Sequence, residues 1–210
     1  MKKYMLLVGF LWSGVVTQAQ GRLGIQLVPG VAFNRVHTGP TSTDFSSAGA
    51  AFGFKVGIIY DHPIGENYDV GTGLFYSVLH VAMQKKTVSP SVCEEYGLHY
   101  VQVPVLFKLH TSEVALDMRL YVTLGLIGQI RVNESHTYLT PDQAPFVGSF
   151  RRWGLGGLLG VGVEYDTSLS TSVFAGVSYH PGLASVMETS AQAAFWSYCD
   201  LVGLELGVRL

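Results

Sequence analysis

The chain has 210 residues, of which 48% are hydrophobic and 13% are charged, and its formal net charge is −2. This length suits one substantial domain, and the slightly acidic balance excludes the basic surface expected of a nucleic-acid-binding protein. The 25 glycines and the aromatic residues (11 Phe, 11 Tyr and 3 Trp) favour strands joined by tight turns over helices.

The first 19 residues are predicted to be a secretory signal peptide. Lys2 and Lys3 precede an apolar stretch, Tyr4–Val16, which is too short to span a bilayer comfortably. Small residues at Thr17 and Ala19 fit cleavage after Ala19. No apolar run of helix-spanning length follows, so residues 20–210 are expected to form one domain, either a soluble β-sandwich or a β-barrel of the outer membrane.

Eight segments of the mature chain alternate between apolar and polar or small residues. Residues Met118–Asn133 show this most clearly, because Leu120, Val122 and Leu124 alternate with polar or small neighbours. Side chains in a strand point to opposite faces with a period of two, so each segment is predicted to be an amphipathic strand. The segments are Gly21–Asn34, Gly49–Asp61, Tyr68–Gln84, Leu98–His110, Met118–Asn133, Arg152–Asp166, Thr171–His180 and Trp196–Leu210.

The connections between these segments alternate between long and short, which is typical of outer-membrane barrels. The predicted fold is therefore all-β: an eight-stranded, antiparallel, up-and-down transmembrane β-barrel in the outer membrane of a Gram-negative bacterium. With an even strand number, both termini are expected in the periplasm. A soluble β-sandwich would also alternate, but glycines and paired charges on the polar faces favour a narrow barrel interior.

Aromatic residues at the ends of the apolar faces favour two girdles around an aliphatic band. The external girdle is predicted to contain Phe33, Phe52, Trp153, Tyr179, Trp196 and Tyr198. The periplasmic girdle is predicted to contain Tyr60, Tyr68, Phe107 and Tyr165.

Charged residues on the opposite faces are predicted to meet inside the barrel. Seven are placed in its periplasmic half, namely Asp61, Asp69, Lys108, Arg119, Glu164, Glu205 and Arg209, and Lys55 and Arg131 lie higher. Such a nearly balanced set can form a plug of mutually satisfied ion pairs. A selectivity filter or proton path is the functional alternative, although side chains fill an eight-stranded barrel too completely for a diffusion pore.

Two cysteines and several basic residues lie towards the predicted external end. Cys93 and Cys199 are in an oxidising compartment and could form a disulfide that ties a loop over the barrel mouth; two free thiols are the alternative. The basic residues could contact lipopolysaccharide phosphates or be solvated loop charges. They are Lys85, Lys86, Arg151 and Arg152.

Two stretches resemble a known family. YVQVPVLFK (Tyr100–Lys108) and GVGVEY (Gly160–Tyr165) are similar to strands of the small outer-membrane β-barrel domain proteins of Bacteroidetes, which are called porin-like or PorT-like. The resemblance implies this fold over nearly the whole mature chain. It also implies recognition of the last strand by the barrel-insertion machinery, and a possible place in a protein secretion or transport assembly.

No enzyme motif is present, and we predict no catalytic residue, metal site or cofactor. The leading hypothesis is a non-enzymatic barrel whose external loops bind a partner or stabilise the envelope, with outer-membrane lipid or lipopolysaccharide around it. The alternatives are a membrane component of a secretion assembly and, third, an outer-membrane lipid-modifying enzyme.

Overall fold

The computed structural model describes residues 21–38, 45–47, 49–85, 92–138, 150–168, 170–187 and 195–210, so the predicted signal peptide lies outside the described residues. The described residues form nine β-strands. They are β1 (Arg22–Thr38), β2 (Phe45–Ser47), β3 (Ala50–Pro63), β4 (Tyr68–Lys85), β5 (Val92–His110), β6 (Met118–Tyr138), β7 (Trp153–Asp166), β8 (Ser172–His180) and β9 (Phe195–Arg209). Within these ranges, no helix has the length and apolar character needed to cross a bilayer.

Eight of these strands close into an antiparallel barrel. The order β4-β3-β1-β9-β8-β7-β6-β5 returns to its start because β5 also pairs with β4. The last strand, β9, pairs with the first, β1. This confirms the predicted eight-stranded barrel and excludes the sandwich. The short strand β2, which pairs with the end of β4, was not predicted.

The strands extend further than expected at one end of the barrel. Short connections at residues 64–67, 111–117 and 167–171 define the turn end, and the opposite end is the loop end. There, pairing of Lys85 with Val92 and of Glu94 with Tyr138 replaces much of the expected loop before residue 98. The prediction of a loop over Lys85–Gly97 was wrong because backbone ladder bonds can continue through polar residues that carry no alternating apolar signal.

The two faces of the wall differ as the alternation predicts. In β9, Val202, Leu204 and Leu206 point outward and are 41–54% exposed, whereas the intervening Glu205 points inward and is 3% exposed. An aliphatic outer surface of this extent is the face that transmembrane barrels present to lipid.

Aromatic side chains pack together in the middle of the lumen, and inward glycines make room for them. Tyr121 and Phe174 pack edge to face with Ile59 and Phe75 nearby. A Cβ atom at Gly176 would lie 2.7 Å from the Tyr121 hydroxyl oxygen, and one at Gly207 would lie 2.6 Å from Cε1 of Phe174. These glycines therefore provide the space that the aromatic side chains occupy.

Candidate functional sites in the lumen and on the outer wall

Arg209, at the end of β9, lies at the centre of the charged residues near the turn end. Its guanidinium forms ion pairs with Asp61, at 2.8 Å from Nε to Oδ2, and with Glu164. Lys108 Nζ lies 2.7 Å from the same Asp61 oxygen. All four side chains are nearly inaccessible to solvent. Each of these four residues occupies an inward position in its strand. The cross-strand register places all four at the same height in the barrel, near the turn end.

His110 links this group to a third carboxylate. Its Nε2 lies 3.0 Å from Asp69 Oδ2, and its Nδ1 lies 3.6 Å from Glu164 Oε2. Glu164 also accepts a hydrogen bond of 2.6 Å from Ser172 Oγ and faces Arg22 at 3.5 Å. We call Arg22, Asp61, Asp69, Lys108, His110, Glu164 and Arg209 the lumen cluster. It sets three carboxylates against two arginines and one lysine, with one histidine beside them, so the formal charges are equal in number.

Aromatic rings separate the lumen cluster from the rest of the interior. The Arg209 guanidinium lies 4.4 Å from the Phe174 ring centroid, close enough for a cation–π contact. On the far side of the rings, Tyr121 donates a hydrogen bond of 3.1 Å to Glu205. Lys55 Nζ lies 3.2 Å from Nδ1 of His180.

The interior has little free volume near these groups. Two cavities of about 20 Å³ each lie along the lumen, and both are lined by Lys55 and His180. A space of that size accommodates one or two water molecules. Around Lys55 and His180 the described side chains therefore pack closely.

The structure brings five of the nine predicted lumen charges into one cluster and separates the other four. Arg119 donates from Nη2 to both carboxylate oxygens of Asp166 at the turn-end mouth. Lys55 and Glu205 lie above the aromatic rings, and Arg131 pairs with Glu134 near the loop end instead of joining the network. Sequence reasoning missed Arg22, His110 and Asp166. His110 has the same parity as Lys108, which was the available signal.

A second polar site lies on the outer wall. Asp200 has the parity of the lipid-side residues but is completely buried. It accepts hydrogen bonds from Arg35 Nη2 at 3.0 Å, from the Tyr179 hydroxyl at 2.8 Å and from the Gly182 amide at 2.9 Å. Arg35 Nε lies 2.7 Å from Oδ2 of Asp200. We call Arg35, Tyr179, Gly182 and Asp200 the Asp200 clasp.

The clasp lies where the β8 ladder ends. Strand β8 stops at His180, and Pro181 has no N–H to donate. The chain then continues between β7 and β9, where the Gly182 N–H bonds Asp200 and the Gly182 carbonyl accepts from Arg35 at 3.2 Å. Backbone groups facing lipid must find protein partners, so the clasp replaces missing ladder bonds. The alternation in the sequence does not indicate the clasp, because Arg35 lies beyond the predicted end of the first strand.

The predicted girdle residues all have outward parity. Tyr60, Tyr68, Phe107 and Tyr165 lie near the turn end, and Tyr68 stacks on Phe107 with centroids 6.0 Å apart. At the loop end, three residues are strongly exposed and three are partly covered. The exposed residues are Phe52, Trp153 and Trp196, and the partly covered ones are Phe33, Tyr179 and Tyr198.

The possible disulfide stays a prediction. Cys199 is a buried free thiol, and the side chain of Cys93 lies outside the described part of the chain. Where side chains are described, no three His, Cys, Asp or Glu residues are grouped so as to hold a metal ion.

Comparison with protein families gives a match over most of the chain. The model described as "Outer membrane protein beta-barrel domain" matches residues 18–188. No match was found among curated proteins.

Solved structures with a similar architecture are bacterial outer-membrane barrels. OprG from Pseudomonas aeruginosa is 10% identical, with a TM-score of 0.52 over 90% of this chain and 97% of that chain. Neisserial surface protein A is 15% identical, with a TM-score of 0.44 over 90% and 96% of the two chains. At these identities, the likeness to OprG shows a shared fold.

Proposed function

The chain belongs to the family of outer-membrane β-barrel domain proteins, and from this premise we propose that it is a non-conducting, non-enzymatic barrel that stabilises the envelope through its external end. It is a protein of the outer membrane of a Gram-negative bacterium. The observation that carries the proposal is the lumen cluster, which lies below the packed aromatic rings. Because these side chains occupy the interior, we propose that the protein acts through its outer wall and its loop end.

The proposed orientation places the turn end and both termini in the periplasm. Short turns at one end and long connections at the other support it, since outer-membrane barrels have this asymmetry. The projecting strands would then face outward. From Ile130, which pairs with the first residue of β7, strand β6 continues for eight residues, about 26 Å along the strand.

If the protein stabilises the envelope through its external end, shortening the hairpin of β4 and β5 should abolish that stabilisation while the barrel stays intact. Replacing residues 83–94 by an Asn-Gly turn removes the paired tip of β4 and β5 above Val81 and Tyr96. Cells that lack the protein should take up more of a hydrophobic fluorescent dye than wild-type cells. The full-length chain should restore exclusion of the dye, and the shortened chain should not.

The control is Leu116→Ser in a turn at the opposite end, where the side chain is 84% exposed. This variant should restore dye exclusion fully. Insertion and orientation are checked with a membrane-impermeant maleimide in a Cys93→Ser background, which should label Arg152→Cys but not Leu116→Cys on intact cells. Equal dye exclusion with the shortened chain, or equal uptake with and without the protein, would refute the role.

A place in a secretion assembly is the second candidate. It is favoured by a hollow of about 480 Å³ at the turn end, lined by charged groups that include Glu66, Asp69 and Arg119. A periplasmic protein could dock there, in keeping with the PorT-like resemblance. Purification after mild crosslinking separates the two roles, because an assembly component should retain a stoichiometric partner and an envelope stabiliser should not.

A further inference from the structure

A shallow apolar groove of about 300 Å³ crosses the outer wall between β6 and β9. Outward side chains of four neighbouring strands line it, and almost all of its lining is apolar. They include Val122, Leu159, Val161, Val177, Tyr179 and Val202. A groove of this kind on a lipid-facing wall matches the apolar chemistry of an acyl chain.

The loop-end boundary of the groove is polar, because Tyr179 belongs both to the groove and to the Asp200 clasp. Its hydroxyl donates to Asp200, which in turn holds Arg35. The groove is therefore continuous with an oriented arginine at the level where the β8 ladder stops. An apolar chain in the groove would place its headgroup beside that arginine.

The two charges of the clasp are not equally accessible. Asp200 is completely buried, whereas the Arg35 side chain is 45% exposed. Arg35 uses Nε and Nη2 for Asp200 and for the Gly182 carbonyl, and no described residue accepts a hydrogen bond from its Nη1. A group approaching from the bilayer therefore meets the cation and not the carboxylate.

Aromatic neighbours hold the guanidinium in place. Its Cζ lies 5.6 Å from the Tyr198 ring centroid, and His37 packs edge to face on the same ring at 5.9 Å. An arginine fixed by a carboxylate and a ring loses little conformational entropy when it binds an anion.

We propose that the groove and Arg35 form a binding site for one outer-leaflet lipid with an anionic headgroup. The acyl chain lies along Val161 and Val177, and an anionic headgroup oxygen accepts a hydrogen bond from Nη1 of Arg35. The inference rests on the proposed bilayer orientation and adds a defined lipid class and site. Arg152, by contrast, lies exposed beyond the groove, directly before β7.

Native mass spectrometry tests the site with protein in nanodiscs of dioleoyl phosphatidylcholine and dioleoyl phosphatidylglycerol, which share acyl chains and differ in headgroup. The wild-type protein should retain the anionic lipid about fivefold more than the zwitterionic lipid, the gain expected for one arginine at an anionic interface. Arg35→Gln should reduce the ratio to about one, and Arg35→Lys should keep part of it.

Two further variants complete the test. Arg152→Gln makes the same charge change away from the groove and should retain the wild-type ratio. Val177→Trp fills the groove without replacing a residue of the clasp and should release both lipids. An unchanged ratio in Arg35→Gln, or unchanged retention in Val177→Trp, would overturn the site. Heat-modifiable migration of each variant separates this failure from failure of the barrel to insert, which would contradict the proposed function instead.

Discussion

Arg209→Met is expected to lower the free energy of unfolding by about 3–5 kcal/mol, the usual cost of breaking a buried ion pair by removing one partner. The substitution keeps an apolar stem against Phe174 but leaves Asp61 and Glu164 without their shared cation. Lys108 still neutralises Asp61, so most of the loss comes from Glu164. The loss of unfolding free energy is measured by urea unfolding in lipid vesicles, with the fluorescence of the outward Trp153 and Trp196 as the signal.

The matched control is Arg152→Met, which removes the same charge from an exposed position and should change stability by less than about 0.5 kcal/mol. Adding Glu164→Gln to Arg209→Met should recover part of the loss, because it removes the uncompensated charge. If Arg209→Met and Arg152→Met unfold at the same urea concentration, the lumen cluster does not stabilise the barrel.

Asp200→Ala is expected to cost about 1–3 kcal/mol, since it leaves the Gly182 N–H and the Tyr179 hydroxyl without an acceptor. The lost ion pair with Arg35 contributes less to this free-energy cost, because the Arg35 side chain is partly exposed. The effect should be local. Amide hydrogen exchange should accelerate at Gly182 and through Val186, whose N–H bonds the Ser197 carbonyl, and remain unchanged at the turn end.

Asp166→Ala provides the comparison for this prediction. It removes an equivalent carboxylate from Arg119, but that pair is partly exposed at the turn-end mouth. Exposed pairs contribute about 0–1 kcal/mol, so this variant should be nearly as stable as the wild type. Equal losses for Asp200→Ala and Asp166→Ala would show that the clasp does not replace ladder bonds.

The barrel was predictable because a strand period of two separates a lipid face from a lumen face at nearly every position. Leu120, Val122 and Leu124 in β6 carry that signal without ambiguity. The same period could not show where pairing stops at the loop end. The Glu94–Tyr138 pairing is held by backbone hydrogen bonds, which leave no apolar pattern in the sequence.

The candidate sites were predictable only where charge and parity coincide. Asp61, Lys108 and Arg209 face inward near strand ends, so their meeting follows from closure of the sheet. Asp200 could not be identified from parity, because outward residues of the barrel wall normally contact lipid. Its role depends on the interruption after Pro181, and only the three-dimensional path of the following residues shows which backbone groups need partners.

The most direct test of a closed barrel with a filled lumen is ionic conductance of the purified protein in a planar lipid bilayer. The lumen cluster, the aromatic rings and cavities of about 20 Å³ predict no step-like current above that of the bare bilayer. Heat-modifiable migration of the same preparation confirms that the barrel is folded. Reproducible ohmic steps from that folded protein would contradict a filled lumen.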